Sequence, residues 1–243
     1  FEIEVGKTTT KHQEVMIVLD MLEFERFIYD PVFPSSRGRP PISRVALAKA
    51  FAAKAVMNLP TTEDLIDRLR VDIVLRRICG FDSVFKVPSK GTFSNAFSEF
   101  AKSGLLEKIH EKIIKENYDG KLIGHLSRDA TEIDAREKPK KKPVVVKPKR
   151  KRGRPKKGTP KLEKTKKPLE KQPSMSLEEM LEDLPTDCDV GTKRNSKGHT
   201  TSWIGYKLHL DVADGRVPIS AILTSASVHD SQVAIPLEVK SLS

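Results

Sequence analysis

The chain has 243 residues, 37% of them hydrophobic and 32% charged, with a formal net charge of +11. That suits one large or two small domains and is too polar for a wholly packed protein, so folded parts and a disordered part are expected. Apolar runs fall short of the roughly 18 residues of a membrane span, no charged-then-apolar leader opens the chain, and Cys79 and Cys188 make neither a zinc pattern nor a disulfide framework, which excludes a membrane partner and points to the cytoplasm.

Taken in chain order, residues 9–119 carry helical signals. The stretch Lys11 to Ile28 sets Val15, Val18, Leu19 and Leu22 on one helical face. Pro31, Pro34, Gly38, Pro40 and Pro41 break it. Ser43 is placed to cap an alanine-rich helix running to about Met57. Thr61 and Asp64 form a capping-box-like pair at the head of a helix running to about Ile78, with Gly80 as its terminator. After the turn Pro88 to Thr92, Phe93, Phe97 and Phe100 form a core stripe. Ser103 and Gly104 interrupt it, and a further helix runs from Leu105 to about Asn117. Short helices joined by capped turns are compatible with a helix-turn-helix DNA-binding domain and equally with a plain helical bundle.

The period then changes from helical to alternating. Lys121 to Asp134 is a strand carrying a carboxylate, Asp129, where the apolar pattern gives way to polar residues, with Glu132 and Asp134 as neighbouring alternatives. Ile204, Tyr206, Leu208, Leu210 and Val212 alternate with polar residues and predict a half-buried strand. Asp214-Gly215 marks a hairpin turn, and Val217 to Thr224 is apolar enough for a strand buried on both faces. Asp230 precedes a helical start at Gln232 to Glu238 and has helix capping as its expected role, with His229 a loop histidine.

Between these strands lies a low-complexity tract, residues 136–185, read as disordered apart from one short acidic helix at Ser176 to Leu184. Arg136 to Lys171 alone carries a net charge of +15, so the rest of the chain is slightly acidic and the basicity is local. Local basicity points to a polyanion partner. At its centre, Arg150, Lys151, Arg152, Gly153, Arg154, Pro155, Lys156 and Lys157 form an AT-hook-like core with basic flanks. Glycine lets the backbone sit deep in a narrow A·T minor groove, the arginines follow its negative potential, and the lysines neutralise phosphates. Double-stranded DNA with A·T-rich sites is the partner this predicts. The second tetrapeptide, Arg37-Gly38-Arg39-Pro40, lacks basic flanks and reads as a domain-entry loop.

Several segments together resemble the insertion-sequence transposases of bacteria. In the helical part they are Gly38 to Ile42, the alanine-rich helix, Asn58 to Leu65, and Pro88 to Phe97. In the later part they are Asp129 to Ala135, Gly198 to Leu210, and Ile222 to Gln232, which resemble the start of a DDE catalytic domain. The resemblance implies an α+β chain: an all-α DNA-binding domain (9–119), then an incomplete ribonuclease-H-like α/β domain (120–135 and 186–243) split by the basic insertion (136–185). It implies Asp129 as the first catalytic and metal-binding carboxylate, Mg²⁺ or Mn²⁺ as cofactor, binding to the element's ends, a homodimer in the full-length family, and nucleoid association. The second Asp and the Glu of the triad do not follow Asp230. The chain thus reads as a C-terminally truncated form, inactive alone, and its opening on Phe1 reads as a fragment or an unusual start. The alternatives are a non-enzymatic DNA-binding protein, such as a transposition inhibitor, and a ribonuclease-H-like nuclease without a role in transposition.

Overall fold

The structure, a computed structural model, describes residues 7–29, 41–118, 124–141 and 167–242. The hook-like core Arg150–Lys157, the tetrapeptide at 37–40 and the strand start at 121–123 lie outside the described residues. The chain divides into two compact units, Phe1–Lys121 and Leu122–Ser243. The described residues are α+β, with helices alone in the first unit and the sheet in the second.

In the helical unit each element starts where a side chain satisfies an orphan backbone N–H. Helix α1 (Thr10–Leu22) opens on a reciprocal cap: the Thr9 hydroxyl accepts from the His12 N–H, and His12 Nδ1 accepts from the Thr9 N–H. The helix expected to reach Ile28 stops at Leu22, because Glu23 turns left-handed (φ +44°) and a 3₁₀ turn follows at Phe24–Arg26. Helix α2 (Arg44–Val56) is capped by Ser43, and α3 (Thr62–Val71) by the Thr61–Asp64 box. The single helix expected to Ile78 is two. Asp72 leaves the helical conformation and its carboxylate caps α4 (Ile73–Ile78) through the Leu75 N–H, a short-range competition that aspartate often wins. Helix α5 (Lys90–Ser103) is capped by Ser89 and ended by left-handed Gly104, and α6 (Leu105–Tyr118) follows.

These helices close over one apolar core that includes Val15, Leu47, Leu65, Leu69, Leu75 and Phe93, all with no exposed surface. Phe51 of α2 meets Phe93, Phe97 and Phe100 edge-on, with centroids 5.5, 5.6 and 6.5 Å away. Of the expected stripe, Phe93 is core and Phe100 is partly buried against it, while Phe97 is 58% exposed and still touches Phe51.

The sheet unit has four strands among the described residues: β1 (Leu126–Asp134), β2 (Asp189–Arg194), β3 (Thr200–Ala213) and β4 (Val217–Ser225). All pairings are antiparallel and all are to β3. β4 follows β3 through the expected Asp214–Gly215 turn, and helix α9 (Ala234–Leu242) packs back on the sheet. Gly205 is partnered on both sides, by Asp134 and by Asp189, with φ +154°; a Cβ there would overlap the Ile133 carbonyl, so β1 can approach β3 only because this residue is glycine.

Three sequence expectations change here. Part of the tract read as disordered is folded: α7 (Pro168–Lys171) and a 3₁₀ turn at Gln172–Ser174 lie within it, ahead of α8 (Leu177–Asp183), which is the short acidic helix expected at Ser176 to Leu184. Beyond Pro168 the composition is no longer Lys/Pro alone. Leu181 and Leu184 pack with Ile222, Val228, Val233 and Leu237, while Ser176 and Glu179 form a capping box. Strand β4 is not buried on both faces, since Leu223 is 48% exposed. And β3 buries the opposite set from the one its alternation suggests. His209 and Asp211 are buried, while Ile204 is exposed and Tyr206, Leu208 and Leu210 are half-buried.

Candidate functional site

Asp129 lies near the middle of β1, opposite Leu210 of β3. Strand alternation puts its side chain on the opposite face from those of Arg128 and Ala130. It is exposed, and its Oδ1 accepts the Ala130 N–H at 2.8 Å. The alternatives Glu132 and Asp134 are exposed on the same strand. Among the described residues, β1 has one strand neighbour, β3.

The face turned toward α9 is polar, with His209 and Asp211 buried on it and Arg128 reaching it from an exposed position on β1. Arg128 and Asp211 are register partners and form a two-pronged ion pair: Nε donates to Oδ1 at 2.7 Å and Nη2 to Oδ2 at 2.8 Å. Arg128 Nη1 donates to the Ala234 carbonyl at 2.9 Å, and the Ser241 hydroxyl donates to Asp211 Oδ2 at 2.8 Å. One arginine thus ties β1, β3 and α9 together. Burial works to raise the Asp211 carboxyl, but the hydrogen bonds from Arg128 and Ser241 and the Arg128 charge outweigh it and hold the group below its ordinary range. The bond to Asp211 in turn raises the Arg128 guanidinium.

Beside this pair, His209 Nε2 meets the Thr224 hydroxyl at 3.0 Å, and His209 Nδ1 lies 3.8 Å from Asp230 Oδ1. Lys207 donates to Asp230 Oδ1 at 3.1 Å and to the Val228 carbonyl at 2.9 Å. Burial lowers the His209 imidazole. A cavity of about 90 Å³ opens here, bordered by Arg128, Asp129, Ala130, His209, Asp230 and the apolar Val233 and Leu237. The expected helix-capping role of Asp230 belongs to its neighbour: His229 Nδ1 accepts the Ser231 N–H at the head of the 3₁₀ turn Asp230–Gln232, and Asp230 pairs with Lys207.

The donor set decides what this region can hold. A divalent cation of the Mg²⁺ type needs several oxygen ligands converging on one point. Among the described residues, no three His, Cys, Asp or Glu side chains are grouped to hold a metal ion. Asp211 is spent on Arg128 and Ser241, Asp230 on Lys207, and Asp129 stands as a single exposed carboxylate. The described residues therefore do not make up a metal site.

The Arg128–Asp211 pair was missed in the sequence, although a signal was present. Lys207, His209 and Asp211 form a period-two polar stripe, and a buried polar stripe requires a partner elsewhere.

The geometry of the helical unit gains a context from known families. Residues 6–99 match the family model of a transposase domain, DUF772. The match runs from the chain preceding α1 into α5, so it includes α2, α3 and α4 with their caps, and it supports a transposase family for the chain. No curated protein and no solved structure matches the chain. No helix among the described residues is long and apolar enough to cross a membrane.

Proposed function

We propose that the chain acts in DNA transposition: it binds duplex DNA and contributes Asp129 to a centre that cleaves and transfers DNA strands. The match of residues 6–99 to a transposase domain carries this reading. Three further features support it. An exposed carboxylate sits on β1 at the position that the DDE resemblance assigns to the first metal ligand. The antiparallel order β1-β3-β4 followed by a helix is compatible with the start of a ribonuclease-H-like domain. The Arg150–Lys157 segment has the composition of a minor-groove hook.

In this reading the hook contacts A·T-rich sites and the basic tract supplies salt-dependent affinity. The cofactor is Mg²⁺ or Mn²⁺, the partners are the element's ends and a second copy of the protein, and the setting is the nucleoid. Asp129 is one ligand of a centre that the described residues do not complete. A second reading, a DNA-binding protein without strand-transfer activity, is favoured by that same lack of converging carboxylates among the described residues.

Asp129→Ala separates the two. Joined to residues that supply the remaining carboxylates, the chain should cleave element-end DNA with Mg²⁺, and Asp129→Ala should abolish cleavage while duplex binding stays intact. Full cleavage by the Asp129→Ala protein would remove Asp129 from the centre; no cleavage by either form would favour the binding protein.

A further inference from the structure

Strand β3 is longer than its neighbours on the main sheet. β1 and β4 pair with it only from Gly205 onward, so Thr200–Ile204 has β2 alone as its partner. The result is a two-stranded ribbon, 189–205, that runs beyond the rest of the sheet. Such a ribbon has little apolar surface to bury and is marginal by itself. Here its residues from Thr192 to Ser202 are all exposed.

Its shape is nonetheless well specified. At the tip, the Asn195 N–H donates to the His199 carbonyl at 2.9 Å and the Gly198 N–H to the Asn195 carbonyl at 3.0 Å. The Asn195 side chain accepts the His199 N–H at 2.9 Å, and Gly198 sits left-handed at φ +84°. This is the three-residue hairpin loop closed by a glycine bulge. Arg194 Nε donates to the Gly198 carbonyl at 3.2 Å, fixing one cation at the turn. At the base, Gly191 lies opposite Trp203, whose ring occupies the space a Cβ would take. The Lys207 ammonium stands 5.9 Å from that ring's centroid.

Beyond Asp189 at its base, the charge on this ribbon has one sign. From Val190 to Leu210 there is no Asp or Glu, while Lys193, Arg194, Lys197 and Lys207 are basic. Among the described residues, Lys193 and Lys197 form no ion pair. Thr192, Thr200, Thr201 and Ser202 add hydroxyls along both faces. An ordered, exposed, one-signed ribbon is a surface for a polyanion. Its two-stranded width matches a major groove about 12 Å wide, where hydroxyls and cations can reach phosphates on either wall.

We propose that this ribbon is a second DNA-contacting element, distinct from the hook-like segment, which lays Lys193, Arg194 and Lys197 against the phosphates of duplex DNA. The choice of duplex DNA among polyanions rests on the transposase reading; the ribbon's geometry and charge do not.

The test uses the whole 243-residue chain and a mixed-sequence 30-base-pair duplex, with binding followed by fluorescence anisotropy across a NaCl series. The variant Lys193→Gln with Arg194→Gln and Lys197→Gln should give a salt slope shallower by about 2 to 3, since each phosphate contact contributes about 0.9. The variant Lys193→Arg with Arg194→Lys and Lys197→Arg keeps the charge while removing the Arg194 bond to the Gly198 carbonyl, and it should keep the original slope, which separates charge from folding. An unchanged slope in the glutamine variant would overturn the ribbon's role and leave the transposase reading standing. No duplex binding by the unmutated chain would overturn that reading. Displacement of the duplex by poly-glutamate at equal charge concentration would overturn the choice of DNA.

Discussion

The two units bury different chemistry. The helical unit closes over a contiguous apolar core in which Leu47, Leu65, Leu69, Leu75 and Phe93 are fully enclosed, with His12 and Arg76 buried at its margin. The sheet unit has a much smaller apolar cluster, centred on Ile222, Val228, Val233 and Leu237, and it buries His209, Asp211, Ser220, Thr224 and Ser225 as well. Apolar burial is non-directional and stabilises in proportion to area. A buried polar network contributes little net stability when complete and costs several kcal/mol when one member is removed. The helical unit should therefore fail gradually as core volume is lost, and the sheet unit abruptly when a partner is lost.

The largest effect that would sharpen this comparison is expected in the helical core. Phe93→Ala removes a fully buried ring that packs on Phe51. It should destabilise the helical unit by about 3–5 kcal/mol, read as a lowered urea midpoint for the helical signal. A cost below about 1 kcal/mol would mean that this core is loosely packed.

The next effect is in the sheet unit and depends on pH. Burial lowers the His209 imidazole below its ordinary value of about 6.5, with Thr224, Asp230 and Lys207 the polar groups facing it. The unfolded chain therefore takes the proton first as pH falls. The stability that neutral His209 contributes is present above about pH 6.5 and is lost from there toward the lowered folded value. Asp211 acts in the same direction in a lower window, below about pH 3.9, because its folded carboxyl is also lowered. Urea titrations at pH 7.5 and 5.5 should show a weaker sheet unit at the lower pH, and His209→Gln should remove most of that difference. The same pH dependence in His209→Gln would assign it to other groups.

The smallest effect concerns a cap. Thr61→Ala removes the hydroxyl that accepts the Asp64 N–H at the start of α3. A loss of about 1 kcal/mol is expected in the helical unit, with the sheet unit's transition unmoved.

This contrast also explains what the sequence revealed. Ser43, Thr61, Ser89 and Gly104 are local signals: each acts within a few residues, so the starts of α2, α3 and α5 and the stop of α5 were legible. The break at Asp72 was not, because the apolar period continues through it while its carboxylate turns to cap α4 and to pair with buried His12 at 2.9 Å, a residue sixty positions away. In the sheet unit the alternation in β3 was visible, but its inward face was misassigned. What makes Asp211 tolerable inside is Arg128, 83 positions earlier, and a non-local partner leaves no local pattern. β2 was missed for a related reason: its Asp, Gly and Lys are poor strand signals, and it is a strand because β3 templates it. Asp129 was singled out by resemblance to a family, since an exposed aspartate on a strand has no distinguishing pattern of its own.

Hydrogen exchange on the intact chain, with and without Arg128→Ala, tests the central contrast most directly. The substitution leaves the fully buried Asp211 without its guanidinium and frees β1 from α9. Backbone amides of β1, β3, β4 and α9 should then lose protection together, while those of α2, α3 and α5 keep theirs. Loss of protection spread evenly over both units, or no loss in the sheet, would contradict the claim that the polar network around buried Asp211, rather than apolar burial, holds the strand that carries Asp129.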